Sequence, residues 1–165
     1  MNSEIFFYKI SDDDLEFITG IFNYYIEKTV IAFYTKPVSV EEISKVIPFS
    51  HPVYAAYIIK WNGNKCGYCY YSQYKAREAY NRTAEITVYL SEEFTGKGIG
   101  KAAVEFIEQK ANEKNIKNLI ATITALNQKS IKLFEKCGYK KCAHLKNVGE
   151  KFDQILDVVM YQKEI

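Results

Sequence analysis

The sequence predicts a mixed α/β fold: a mostly antiparallel sheet with flanking helices. Three observations carry this. Segments of strand and helix periodicity follow one another in the order β-α-α-β-β-β-α-β-α-β-β. "RTAEITVYL" alternates cleanly, with Ala84, Ile86, Val88 and Leu90 on one face and Thr83, Glu85, Thr87 and Tyr89 on the other. Directly after it, a glycine-rich turn opens into an apolar stripe at helical spacing. The 165 residues suit one domain, 1–165, large enough to bury a core.

The elements follow in order. "EIFFYKI" reads as the first strand. Ser11 and Asp14 have the spacing of a capping box, and Ile18, Ile21, Phe22, Tyr25 and Ile26 continue as one helix face. Pro37 breaks the chain; Ser39 with Glu42 then opens a short helix through Ile43, Val46 and Ile47. "PVYAAYIIKW" and "KCGYCYYSQY" are strands joined by a hairpin turn at "NGN". The alternating strand comes next, followed by a helix striped with Ile99, Ala102, Ala103, Phe106 and Ile107. "NLIATITAL" is a strand, and "NQKSIKLFEKCGY" is a helix stopped by Gly138, with Tyr139 placed for the apolar contact beyond its cap. "YKKCAHLKNVG" and "FDQILDVVMYQ" close the chain as two strands.

Composition narrows the function. Hydrophobic residues make up 48% and charged residues 25%, with a formal charge of only +2. Lys and Arg are spread along the chain without the basic stripe of a nucleic-acid binder. No apolar run approaches the roughly 20 residues that span a bilayer. "MNSEIFFYKISDDD" has acid where a leader peptide wants base, so the expectation is a cytoplasmic protein. Cys66 and Cys69 have zinc-like spacing, but alternation along a strand would turn residues three apart to opposite faces. A bulge at Gly67 could reunite them, yet no second close pair follows. The expectation is four reduced, mostly buried thiols acting as small apolar residues, and no metal.

"FTGKGIGKAAVEFIEQKA" places glycines at the mouth of a helix. The first N–H groups of a helix lack internal partners and carry the positive end of its dipole, so such a turn can cradle phosphate. A plain glycine-rich turn is the simpler alternative. A P-loop is a poor match, because only three residues separate Gly96 from Gly100 and Ala102 follows Lys101. Gly98, Gly100 and Ala103 do match GxGxxA, but several residues separate them from the preceding strand, and the next strand does not end in the expected acid.

A third cradle fits better. Gly98 and Gly100 fill the last two slots of the [Q/R]-x-x-G-x-[G/A] turn that binds the pyrophosphate of acetyl-CoA in the GNAT acetyltransferase superfamily, with Thr95 departing from the [Q/R] slot. "IFNYYIEKTVIAFYTKPVSVEEI", "GYCYYSQYKAREAYNRTAEITVYL" and "GYKKCAHLKNVGEKFDQILDVVMYQ" resemble the phosphinothricin acetyltransferase branch over nearly the whole chain. The resemblance implies the GNAT acyl-CoA N-acyltransferase fold. It also implies acetyl transfer from acetyl-CoA to the amine of a small amino-acid-like substrate of the phosphinothricin or methionine sulfoximine type, and a homodimer. Two alternatives stay open: acetylation of a peptide or protein N-terminus, and a CoA-binding sensor with weak catalysis.

An amine attacks a thioester only when neutral, so a proton acceptor is needed. Glu85 lies on the polar face of the strand that feeds the cradle and occupies the Glu of the branch's T-x-E-x-[ST] motif. On alternation alone it could equally be a solvated surface residue. The resemblance further implies an oxyanion donor from the backbone of Val88, Tyr89 and Leu90 at a bulge in this strand. It assigns the cradle to Gly96, Lys97, Gly98, Ile99, Gly100 and Lys101, and a contact with the pantetheine arm to Asn127, which is also a plain helix cap. Lys75 and Arg77 could hold an acidic group of the acceptor, with Arg82 the weakest of the three. Phe33, like Tyr34, lies in the region that covers the acceptor in the branch. Phe134 stands where relatives carry a proton donor, and Phe cannot donate.

Overall fold

The computed structural model describes residues 4–165; Met1–Ser3, part of the stretch considered above as a leader, lie outside them. The strands are β1 (Ile5–Lys9), β2 (Ala55–Trp61), β3 (Asn64–Gln73), β4 (Thr83–Leu90), β5 (Asn118–Thr124), β6 (Lys140–Lys151) and β7 (Gln154–Glu164). The helices are α1 (Leu15–Lys28), α2 (Val40–Val46), α3 (Ile99–Glu113) and α4 (Gln128–Lys136). All seven strands form one sheet in the order β1-β2-β3-β4-β5-β7-β6. Every neighbouring pair is antiparallel except β4 with β5.

The sheet is covered on both faces. Ile99, Ala103, Val104 and Ile107 of α3 pack against Ala84, Ile86, Leu119 and Ala121. On the opposite face Leu15, Ile18 and Ile21 of α1 and Ile43 of α2 pack against Ala56, Ile58 and Tyr68. The expected faces of β4 are therefore observed, but the face carrying Tyr89 and Glu85 lies under the α1 layer rather than open to water.

Local signals explain the boundaries. Asn62 and Gly63 both take positive φ, 48° and 84°, as a two-residue hairpin of the primed type requires. The Ser11–Asp14 box closes a short 3₁₀ turn ahead of α1, and the Asp14 carboxylate is itself buried. It accepts hydrogen bonds from Lys65 Nζ at 2.7 Å and from the Tyr8 hydroxyl at 2.9 Å. The Ser39–Glu42 box caps α2 as expected. α4 ends in a Schellman motif: Tyr139 N–H donates to Phe134 C=O and Gly138 N–H to Glu135 C=O, both at 3.0 Å. The rings of Phe134 and Tyr139 meet edge to face, centroids 4.9 Å apart, as the apolar contact of that motif.

Two expectations need correction. The last hairpin turns at Phe152–Asp153, φ 51° and 57°, later than the sequence suggested, because neither turn residue is a glycine. Cys66 and Cys69 do not face opposite ways. A register break opposite Ile59–Lys60 leaves Cys66 unpaired, and both thiols join the core under α3. Burial pushes the Cys66 thiol up to about 11 and Cys69 higher still, so both are protonated. The thiols are mostly buried, as expected: Cys142 alone is exposed, at a second register break, between Lys141 and Ala143 in the edge strand β6.

Candidate active site

The site begins where the sheet splits. β4 and β5 pair only through Thr83–Asn118, Ala84–Leu119 and Glu85–Ile120. Beyond Glu85, β4 continues beside β3 alone, and beyond Ile120, β5 continues beside β7 alone. A wedge therefore opens between two strands of one sheet, with Glu85 at its apex.

The backbone of β4 is polarised toward this wedge. Arg82 C=O accepts from Lys117 N–H at 2.8 Å, on the β5 side, whereas Ser91 N–H donates to Cys66 C=O at 2.9 Å, on the β3 side. Backbone groups alternate along a strand. The N–H groups of Val88 and Leu90, beyond the last β4–β5 rung, consequently point to the β5 side, where the partner strand has left. The β3–β4 register runs without interruption from Gly67–Leu90 to Gln73–Ala84, so the bulge expected in β4 is not present as a register break. Free donors arise instead from strand divergence.

The glycine turn sits at the end of this strand. Gly96 and Gly98 take φ of 76° and 83°, and Gly98 is the N-cap of α3. A side chain at either would meet nothing within 4 Å, so the turn faces open space. Between Thr95, which donates to Glu92, and Ala102, which donates to Gly98, the six N–H groups from Gly96 to Lys101 have no backbone partner among the described residues. Gly100 serves another purpose, since a Cβ there would come within 3.1 Å of Leu133 Cδ2 on α4. Such a row of free amides at a helix start suits a pyrophosphate. Asn127 Oδ1 accepts from Ser130 N–H at 3.2 Å, the expected N-cap of α4.

Glu85 is half-buried and shares its face with aromatic side chains; beside Tyr89, already a candidate, stand Tyr68 and Tyr70, which the sequence did not single out. Tyr68 stands opposite Tyr89, Tyr70 opposite Thr87, and Ser72 opposite Glu85. Phe22 of α1 meets both Tyr89, at 5.6 Å, and Tyr34, at 5.3 Å. Tyr25 donates to Leu90 C=O at 2.7 Å. Burial raises the Tyr25 phenol to about 12, and burial, with the charge of Glu85 adding to it, raises Tyr70. These hydroxyls therefore remain neutral donors near pH 7.

The remaining candidates are more scattered. Lys75 and Arg77 are exposed in the loop between β3 and β4, each over a ring of its own loop: Lys75 on Tyr74 at 5.4 Å and Arg77 on Tyr80 at 5.5 Å. Neither forms an ion pair among the described residues. Phe33 packs against the backbone of Gly149 on β6, whereas Tyr34, its neighbour, reaches the aromatic cluster on the Glu85 face. Phe134 is buried, and Tyr139, a conceivable acid just beyond the end of α4, is buried beside it. The Tyr139 hydroxyl lies near Glu108 but makes no well-formed hydrogen bond, and burial keeps its proton on.

A sheet split at a carboxylate, leading into a turn of free amides, defines a class. A sequence model for the acetyltransferase (GNAT) family matches residues 18–139. The chain belongs to that family and is an acetyl-CoA-dependent N-acetyltransferase. Within the family it is similar to the phosphinothricin acetyltransferases. The phosphinothricin N-acetyltransferase of Streptomyces coelicolor is 28% identical over 159 residues, 93% of this chain and 92% of that protein. The structure of a GNAT superfamily phosphinothricin acetyltransferase from Sinorhizobium meliloti in complex with AcCoA matches with a TM-score of 0.90 and 27% identity, covering 98% of this chain and 88% of that one. The ribosomal-protein-alanine N-acetyltransferase of Brucella melitensis also matches at 0.90 and 27%, over 97% and 99% of the two chains.

Proposed function

We propose that the protein acetylates the amine of a free amino-acid-like molecule, of the phosphinothricin or methionine sulfoximine type, with Glu85 as the base. The observation that carries this reading is the half-buried aromatic surface around Glu85, made by Tyr70 and Tyr89 on the sheet and by Tyr34, itself exposed, from the segment that follows α1. Such a space suits a small acceptor better than an extended peptide, which needs an open groove.

In this reading acetyl-CoA lies in the wedge, its pyrophosphate on the amides of Gly96 to Lys101 and its pantetheine arm between Val88–Leu90 and Asn127. Glu85 takes a proton from the acceptor ammonium, directly or through water. The neutral nitrogen then attacks the thioester carbonyl, and an N–H of Val88 or Leu90 holds the oxygen as it becomes negative. As the C–S bond breaks, the nitrogen gives up its remaining extra proton to water, and the thiolate leaves and takes a proton from water. A thiol pKa of about 8.5 makes that step undemanding, so Phe134 does not disqualify the site. Lys75 or Arg77 pairs with the acidic group of the acceptor.

The same reading includes a homodimer in the cytoplasm. Leu145 and Val148 on β6 and Ile155 on β7 are exposed, and β6 is an edge strand, so a second copy would shield both apolar surface and free backbone. The free thiols fit a reducing compartment. Thiol release from acetyl-CoA should be followed with a panel of amino acids, phosphinothricin, methionine sulfoximine and short peptides. Turnover with the small amines alone supports the proposal; turnover confined to peptides overturns the acceptor class.

A further inference from the structure

Lys151, the last residue of β6, is only 4% exposed. Its Nζ donates to Ala32 C=O at 2.6 Å, across 119 positions of sequence. No carboxylate pairs with it among the described residues. The ring of Phe152 lies 5.0 Å from the nitrogen. Burial lowers its pKa, as expected for an ammonium without a counter-charge. An apolar side chain would fill this position at lower energetic cost, so packing alone does not explain the residue.

What Lys151 holds is more informative. Residues 29–39 connect α1 to α2 and run as a strap across the molecule. At the near end, Thr124, the last residue of β5, donates to Val30 C=O and Ile31 C=O, both at 3.1 Å. Lys151 holds the next carbonyl, that of Ala32. At the far end, Asn23 of α1 clasps Val38 twice, donating to its C=O at 2.9 Å and accepting from its N–H at 2.8 Å. Between these anchors lie Phe33 to Pro37, all exposed. Phe33 is seated on Gly149, where a Cβ would come within 2.6 Å of the ring. Tyr34 meets Phe22, which meets Tyr89 on β4. The strap thus runs from the far wall of the wedge, at β5 and β6, to the aromatic surface around Glu85.

We propose that Lys151 is a positioning residue for the acceptor: with Thr124 it ties the 29–39 strap to β5 and β6, and so fixes the roof under which the amine must fit to reach Glu85. The proposal rests on reading the Glu85 side of the wedge as the acceptor site. It makes acceptor affinity depend on two side chains that touch neither acceptor nor acetyl-CoA.

The test uses the full chain with Lys151→Met, which keeps the unbranched stem as far as Cε and removes the donor. Thr124→Val releases the neighbouring tether without touching the charge, and serves alone if the first variant does not fold. Hydrogen exchange of segment 29–39 should quicken in either variant while β4 and α3 keep their protection. KM for small amine acceptors should rise about tenfold, with kcat and KM for acetyl-CoA within about twofold, the pattern of lost acceptor binding. Unchanged exchange in the strap overturns the tether. Faster exchange with an unchanged acceptor KM overturns the role in selection. A fall in kcat together with a loss of acetyl-CoA affinity marks general structural damage and also counts against it. If the wild-type protein acetylates no amine, the acceptor role falls with the functional reading, whereas the exchange measurement still decides whether the tether exists.

Discussion

Glu85 is the residue on which most of the proposed chemistry turns. It sits at the last rung of the β4–β5 ladder, where backbone pairing has just ended and a carboxylate can face the wedge. Glu85→Gln keeps the shape and removes the basicity. It should lower kcat by about 10²–10⁴-fold, with acetyl-CoA affinity retained by calorimetry. The deficit should shrink as pH rises, because more of the amine is then already neutral; wild-type turnover by the variant at neutral pH would exclude Glu85 as the base. Arg77→Ala should raise KM for acceptors that carry a carboxylate and leave acetyl-CoA binding alone; an unchanged KM would return Arg77 to the solvated loop. Alternation alone placed Glu85 on the correct face. It could not say that the face is covered, because Phe22, Tyr25 and Tyr34 arrive from segments more than 50 positions away. Phe134 was legible as a departure from the family, and the structure shows what the ring does instead: it packs on Tyr139 in the cap of α4.

At the scale of elements, the glycine turn combines two requirements. Gly98 needs its left-handed φ, and Gly100 needs to be small where α3 meets α4. Gly98→Val should weaken acetyl-CoA binding at least about tenfold, near 1.4 kcal/mol, in a protein whose circular dichroism is unchanged. Equal affinity would remove the cradle. The start of α1 has a different vulnerability. Burial alone would raise the Asp14 pKa, but hydrogen bonds from Lys65, Ser11 and Tyr8 together hold it below the usual range. A depressed carboxylate contributes stability that is present above its unfolded pKa and is lost as pH falls through the folded value. Asp14→Asn should therefore cost about 1–3 kcal/mol in urea unfolding at pH 7, and the difference from wild type should disappear in strong acid. A difference that persists there would mean that packing, not charge, is what Asp14 supplies. The capping box was visible in the sequence; the partnership with Lys65, 51 positions away, was not.

For the whole molecule, the element order and both sheet faces were legible because periodicity and capping are local. Features that depend on distant backbone were not. The Phe152–Asp153 turn carries no glycine, and Gly67 beside the break at Cys66 allowed a bulge without requiring one. The strap anchors join residues 15 to 119 positions apart. The β4–β5 split is a matter of how far two strands stay together, which neither strand's sequence states. The proposed homodimer is open to sedimentation analysis: replacing Val148 and Ile155 with Lys should leave a monomer if the β6 edge forms the contact. That edge also carries Cys142, while Cys66, Cys69 and Cys137 are sealed in the interior. The molecule therefore has a single ready-made attachment point. A maleimide should add once to the folded protein and at all four cysteines once it is denatured, counted by mass spectrometry. A fluorophore fixed there would sit on the strand a second copy is expected to cover, turning an ordinary surface thiol into a gauge of assembly that needs no engineered cysteine.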